Sequence, residues 1–160
     1  MKPIKFQSSR LIPATGEQIC TNMADTDRWS EFTGYGMLPG IKSAAYEVKT
    51  DNMLGSRIRV LNTDGSQHVE EIYEWIPGEK MGMKFQGFTP PLSNLASHFT
   101  EEWVLQPQHN ATLATRKIQM VPKNFLTLPM LWLISLLFRQ AIEHNMDELA
   151  NYPQTPGKAR

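Results

Sequence analysis

The run FLTLPMLWLISLLF at 125–138 constrains this chain more than any other stretch, and it continues without a break into RQAIEHNMDELA at 139–150. Together they read as one long helix. At about 100° per residue, Arg139, Gln140, Glu143, His144 and Asp147 fall on the solvent half of the wheel, opposite Phe138, Ala141, Ile142 and Leu149. Earlier in the helix the same solvent sector holds Trp132, Leu133 and Leu136, with nothing polar in their place. Burying a side chain of that size is worth about 1.5–3 kcal/mol, so these three are expected to be covered by the loop at 88–95, a second copy of the chain, or a membrane surface. A membrane-spanning helix needs roughly 18 or more consecutive apolar residues; the run is shorter and contains Pro129. Pro129 fits a kink, or the first turn of a helix beginning near Leu128.

Upstream, residues 5–13 read as a strand ended by Pro13. Thr15 with Gln18 three residues on predicts a capping box and a helix burying Ile19, Cys20 and Met23. Near Ala24 the helical pattern breaks, and Asp25 or Thr26 can cap a second short helix carrying Trp29 and Phe32. After the loop GYGMLPG at 34–40 the period changes from helical to alternating. Strands are expected around Ala44–Tyr46–Val48, Ile58–Val60, 69–75, Met81–Met83–Phe85, Phe99–Trp103–Leu105 and 112–121. Asp64-Gly65 signals a hairpin of type I′, and Glu101 interrupts an otherwise apolar parity. The order strand, two short helices, six strands, long helix predicts an α+β domain with a curved antiparallel sheet and the last helix in its concavity.

Charge and motif content exclude several kinds of chemistry. Sixteen Lys and Arg balance sixteen Asp and Glu with no run of one sign, so nucleic acid is not an expected partner. Cys20 is the only cysteine, which excludes an internal disulfide and any Cys-x-x-Cys site. Met1 is followed by basic residues but no apolar stretch, so no secretory signal is expected and a cytoplasmic location is. His68, His98, His109 and His144 lack the spacing of a metal site, and no Gly-x-Ser-x-Gly elbow or dinucleotide loop occurs. No metal, cofactor or catalytic residue is therefore assigned. Of Glu70-Glu71 and Glu101-Glu102 only one each can face a cavity, because neighbouring strand residues point to opposite faces. Arg116 alternates in phase with Ala114, Ile118 and Met120, which points it inward. Arg is seldom buried unpaired, so pairing with a buried or rim carboxylate, or the opposite parity facing inward, is the favoured reading and a fork offered to a ligand the alternative.

Ile12-Pro-Ala, Trp29-x-x-Phe32 ahead of Pro39-Gly40-Ile41-Lys42, Gly55-Ser-Arg-Ile-Arg, Glu74-Trp-Ile-Pro77 and Glu102-Trp-Val-Leu105 ahead of Thr112 occur in this order. In that order and spacing the chain resembles the helix-grip superfamily, which includes START-related lipid-transfer domains, polyketide cyclases and dehydrases, and the pollen-allergen fold (SRPBCC). The resemblance implies a seven-stranded antiparallel sheet wrapped around the C-terminal helix and a cavity for a hydrophobic small molecule, while chain length predicts a single domain at 1–152 and Pro and Gly content a flexible tail at 153–160. Its expected lining comprises the aromatics Trp29, Phe32, Phe85, Phe88, Trp103 and Phe138, the aliphatic Ile58, Ile118 and Ile134, and the polar Tyr46, Tyr73 and Arg116. For each aromatic the competing reading is plain core packing. The superfamily has no shared catalytic residue. The leading expectation is binding or transport of a lipid, quinone or polyketide-like molecule. A cyclase or dehydratase-type enzyme, and a module docking a partner protein or a membrane through Trp132, Leu133 and Leu136, are the alternatives.

Overall fold

The computed structural model describes residues 2–151, so the tail expected at 153–160 lies outside the described residues. Seven strands form one antiparallel sheet in the order β1-β7-β6-β5-β4-β3-β2. They are β1 (Ile4–Ile12), β2 (Ile41–Val48), β3 (Arg57–Asn62), β4 (Gln67–Ile76), β5 (Lys80–Gln86), β6 (Ala96–Gln108) and β7 (Ala111–Pro122). Only β1 pairs out of chain order, against β7, so the first strand closes the sheet beside the last. This is the helix-grip architecture expected from the sequence.

Between β1 and β2 lie α1 (Gly16–Ala24) and a 3-10 helix, Thr26–Glu31. The predicted capping box is present: Gln18 N donates to Thr15 Oγ1 at 3.1 Å and Thr15 N to Gln18 Oε1 at 2.9 Å. α1 stops at Ala24, and Asp25 Oδ1 accepts from Asp27 N to cap the next element. A short turn of helix, α2 (Leu92–Leu95), stands where a loop is expected. The Asp64-Gly65 hairpin is not type I′. Only Gly65 has a positive φ, and its N–H closes a turn onto Asn62 O at 3.0 Å, a three-residue loop with glycine in the left-handed position.

The long helix α3 (Leu128–Asn151) begins at Leu128, so Pro129 sits in its first turn and produces no kink in the ladder. Leu131, Phe138, Ile142 and Met146 are buried against the sheet, each contributing about 1.5–3 kcal/mol of apolar burial. On the β1 side Arg10 donates to Glu143 at 2.5 Å and Asp147 at 2.7 Å, clasping helix to sheet edge. Trp132, Leu133 and Leu136 remain 52%, 52% and 44% exposed, so the loop at 88–95 does not cover them.

A bulge settles the direction of the side chains on β4. Ile72 faces Met83 and Trp75 faces Met81, so two residues intervene on β4 where one does on β5. Ahead of the bulge His68, Glu70 and Ile72 point to the concave face, and beyond it Trp75 returns there. Tyr73 is left on the outer face, its ring over Gly82, where an added Cβ would meet it at 2.7 Å.

Candidate ligand cavity

Between the concave face and α3 is a cavity of about 540 Å³. Its floor is an aromatic wall. The Phe138 ring meets Phe6 edge-on at 5.8 Å and Phe99 at 5.9 Å; Phe99 in turn lies 4.9 Å from Phe88 and 6.4 Å from Phe85. Trp29 and Phe32, from the 3-10 helix and its cap, close one end. Trp29 is fixed there because its Nε1–H donates to Met23 O at 2.9 Å. Ile134 and Leu137 of α3 form the roof.

Across this apolar space runs a row of polar groups supplied by β7, β6 and β4. Arg116 of β7 is buried, as its phase predicts, and its partner is Glu101 of β6, which is only 1% exposed. Arg116 Nη2 donates to Glu101 Oε2 at 3.1 Å, while Nε lies 3.0 Å from Oε1 without hydrogen-bond alignment. Trp103 Nε1 donates to Glu101 Oε1 at 2.6 Å, and Arg116 Nη1 to Asn145 Oδ1 of α3 at 2.9 Å. The guanidinium also lies over the Trp103 ring at 4.8 Å. Glu101 therefore does not interrupt its strand's parity. It occupies an inward position because an inward arginine faces it.

On β4, His68 Nε2 is 2.9 Å from Glu70 Oε1, and the imidazole stacks on Phe85 at 5.5 Å. Both residues line the cavity. Burial pushes the Glu70 carboxyl above the ordinary carboxylate range. The His68 hydrogen bond and charge pull it back, the nearby Glu101 adds to the rise and Arg116 opposes it. Among the described residues no three His, Cys, Asp or Glu side chains converge as a metal ion would require.

Eight of the residues singled out from sequence come together on the cavity wall: Trp29, Phe32, Phe85, Phe88, Trp103, Arg116, Ile134 and Phe138. The other four lie elsewhere. Ile58 and Ile118 are packed in the core at 0% and 1% exposure, away from the lining. The Tyr46 hydroxyl is spent on Ala24 O at 2.7 Å, and burial pushes its pKa up to about 12. Tyr73 is 42% exposed on the outer face and donates to Glu102 at 3.2 Å, being out of phase with the inward Glu70 and Ile72. Glu70 and Glu101 also reach the wall, each as the one inward member that its carboxylate pair allows, and so do His68 and Asn145, where sequence reasoning does not place them. A sequence signal exists for Glu101, which shares the parity of Phe99, Trp103 and Leu105.

The cavity reaches the surface where Met37, Met130 and Leu133, exposed by 92%, 51% and 52%, also line it. Phe125 and Leu126, just ahead of α3, are 71% and 74% exposed. Among the described residues no helix is long and apolar enough to cross a membrane.

No protein-family model and no curated protein sequence matches the chain. Solved structures do match its fold. A protein from Thermus thermophilus superposes with a TM-score of 0.69 at 14% identity, over 92% of this chain and 94% of that one. The di-domain ARO/CYC StfQ from the steffimycin biosynthetic pathway matches with a TM-score of 0.67 at 13% identity, over 93% of this chain but 50% of its own. Ginseng major latex-like protein 151 from Panax ginseng gives 0.62 at 13% identity, covering 95% and 100%. These likenesses establish a helix-grip fold.

Proposed function

We propose that the protein binds a hydrophobic small molecule between its sheet and α3, as a carrier or receptor for a lipid, quinone or polyketide-like ring system. The observation that carries this reading is the cavity itself, about 540 Å³ and walled by aromatic side chains together with Ile134 and Leu137. Apolar burial supplies most of the affinity, and the polar row orients one end of the ligand. Native mass spectrometry after gentle purification, followed by extraction, tests it: a co-purifying apolar compound is expected. An empty protein that also shows no thermal shift with a lipid and quinone panel refutes it.

The mouth supports a peripheral contact with an anionic membrane as the route of entry. Met130 and Leu133 belong to both the mouth and the exposed apolar face of α3, beside Trp132 and Leu136. The segment 118–142 carries Lys123 and Arg139 and no acidic residue. Basic and aromatic residues flanking an apolar helix face match an anionic lipid surface.

One feature favours an enzymatic reading as the second choice. The His68–Glu70 pair lines the same cavity as Arg116, an arrangement suited to removing a proton next to a carbonyl held by the guanidinium. StfQ, of the same fold, bears the name ARO/CYC. Turnover of a β-ketothioester that disappears in His68→Ala, with binding kept, supports this reading; bound but unaltered substrate excludes it.

A further inference from the structure

The positive charges of the arginines that line the cavity are already matched within the protein, and this restricts what can enter. Two arginines reach the lining, Arg28 and Arg116. Arg28 is paired with Glu31 at 3.3 Å, and Arg116 with Glu101 at 3.0–3.1 Å. Two further carboxyl groups, Asp64 and Glu70, line the same space. Among the described residues, formal acids on the wall thus outnumber formal bases, and no lysine lines it.

An anionic head group brought into this space would surrender its hydration and find every cation already engaged by a carboxylate. Desolvating a carboxylate without a free counter-charge is costly, whereas a hydroxyl or carbonyl needs only hydrogen bonds. Such bonds are on offer. Glu70 Oε2 has no donor among the described residues, and Arg116 keeps guanidinium hydrogens beyond those given to Glu101 and Asn145. We infer that the cavity selects an uncharged, largely aromatic ligand bearing a hydroxyl or carbonyl, and rejects a carboxylate of the same shape, with Glu101 as the residue that sets this preference by occupying Arg116. The inference rests on the reading of the cavity as a ligand site and specifies its chemistry.

The test is displacement of the neutral fluorophore N-phenyl-1-naphthylamine by 2-naphthol and by 2-naphthoate at pH 7.5. In the wild type, naphthoate is expected to compete at least about 100-fold more weakly than naphthol, since it must enter unpaired or take up a proton against the pH. In Glu101→Gln, which frees Arg116 at nearly unchanged volume, naphthoate gains at least about tenfold while naphthol changes little. Naphthoate, and not naphthol, then also raises the thermal midpoint of that variant beyond its effect on the wild type. The double variant Glu101→Gln/Arg116→Met, which leaves neither charge, must reject naphthoate again. If Glu101→Gln does not fold, the wild-type comparison and the double variant still decide. Naphthoate binding within tenfold of naphthol in the wild type overturns the inference while leaving a ligand cavity in place. Fluorophore uptake by neither the wild type nor any variant overturns the cavity reading and this inference with it.

Discussion

Removing the guanidinium of Arg116 is the sharpest perturbation of the polar row. Arg116→Met keeps the length of the side chain and strands Glu101, 1% exposed, with only Trp103 Nε1 still donating to it and the Glu70 carboxyl close by. Breaking a buried pair by deleting one partner costs about 3–5 kcal/mol. With an unfolding entropy near 2.1 cal/mol/K per residue, a chain of 160 residues loses roughly 9–15 °C in Tm. Replacing both partners, as Glu101→Gln/Arg116→Met, removes the stranded charge, so the double variant should lie within about 1–2 kcal/mol of the wild type. The assay is urea unfolding followed by far-UV circular dichroism across the four members of the cycle. An Arg116→Met cost under about 1 kcal/mol, or a double variant equal to the sum of the singles, refutes the claim that the two charges depend on one another.

Further tests probe other parts of the molecule. The native Glu70 carboxyl, facing His68, Glu101 and Arg116, keeps its proton at pH values where the unfolded chain has lost it. The native state then binds more protons, so this group's contribution to stability falls as pH rises from the ordinary carboxylate range through its raised native value, and stays low above it. Urea midpoints of Glu70→Gln relative to wild type should therefore improve as pH rises from 4 to 8; a constant difference contradicts the shift. Gly16→Ala at the start of α1 would ordinarily gain up to about 1 kcal/mol, yet its Cβ would lie 2.2 Å from Gly78 O, a backbone atom. A loss of about 1–3 kcal/mol in thermal unfolding is expected, and a gain would disprove the close approach. Trp132→Ser with Leu133→Ser should abolish co-sedimentation with vesicles of phosphatidylglycerol and phosphatidylcholine. No vesicle binding by the wild type removes the membrane contact, and a concentration-dependent dimer lost in the same variant assigns that face to self-association.

Much of the fold is legible in the sequence because the local signals agree with one another. Thr15 and Gln18 place the start of α1, the switch from helical to alternating period after 34–40 places the sheet, and 125–150 gives the clasping helix. Arg116 is legible as inward from its neighbours on β7. The rest depends on pairing across strands. The bulge at Tyr73 puts 73 and 75, which a straight strand would place on one face, on opposite faces: Trp75 turns inward while Tyr73 stays outward, and the role of His68 and Glu70 stays hidden in the sequence. Glu101 looks like a break in an apolar face because its partner lies 15 residues away on the next strand. Tyr46 is lost to the cavity by a contact with Ala24, 22 residues earlier, that no periodicity encodes.

Titration of N-phenyl-1-naphthylamine into the wild type and into Ile134→Trp tests the central claim most directly. Ile134 sits in the roof of the cavity, half-buried against the core, so the larger indole fills space that a ligand would occupy. A saturable rise in fluorescence at one fluorophore per chain, abolished by Ile134→Trp with the unfolding transition retained, is the predicted result. No saturable binding to the wild type, or binding that Ile134→Trp leaves unchanged, contradicts the account.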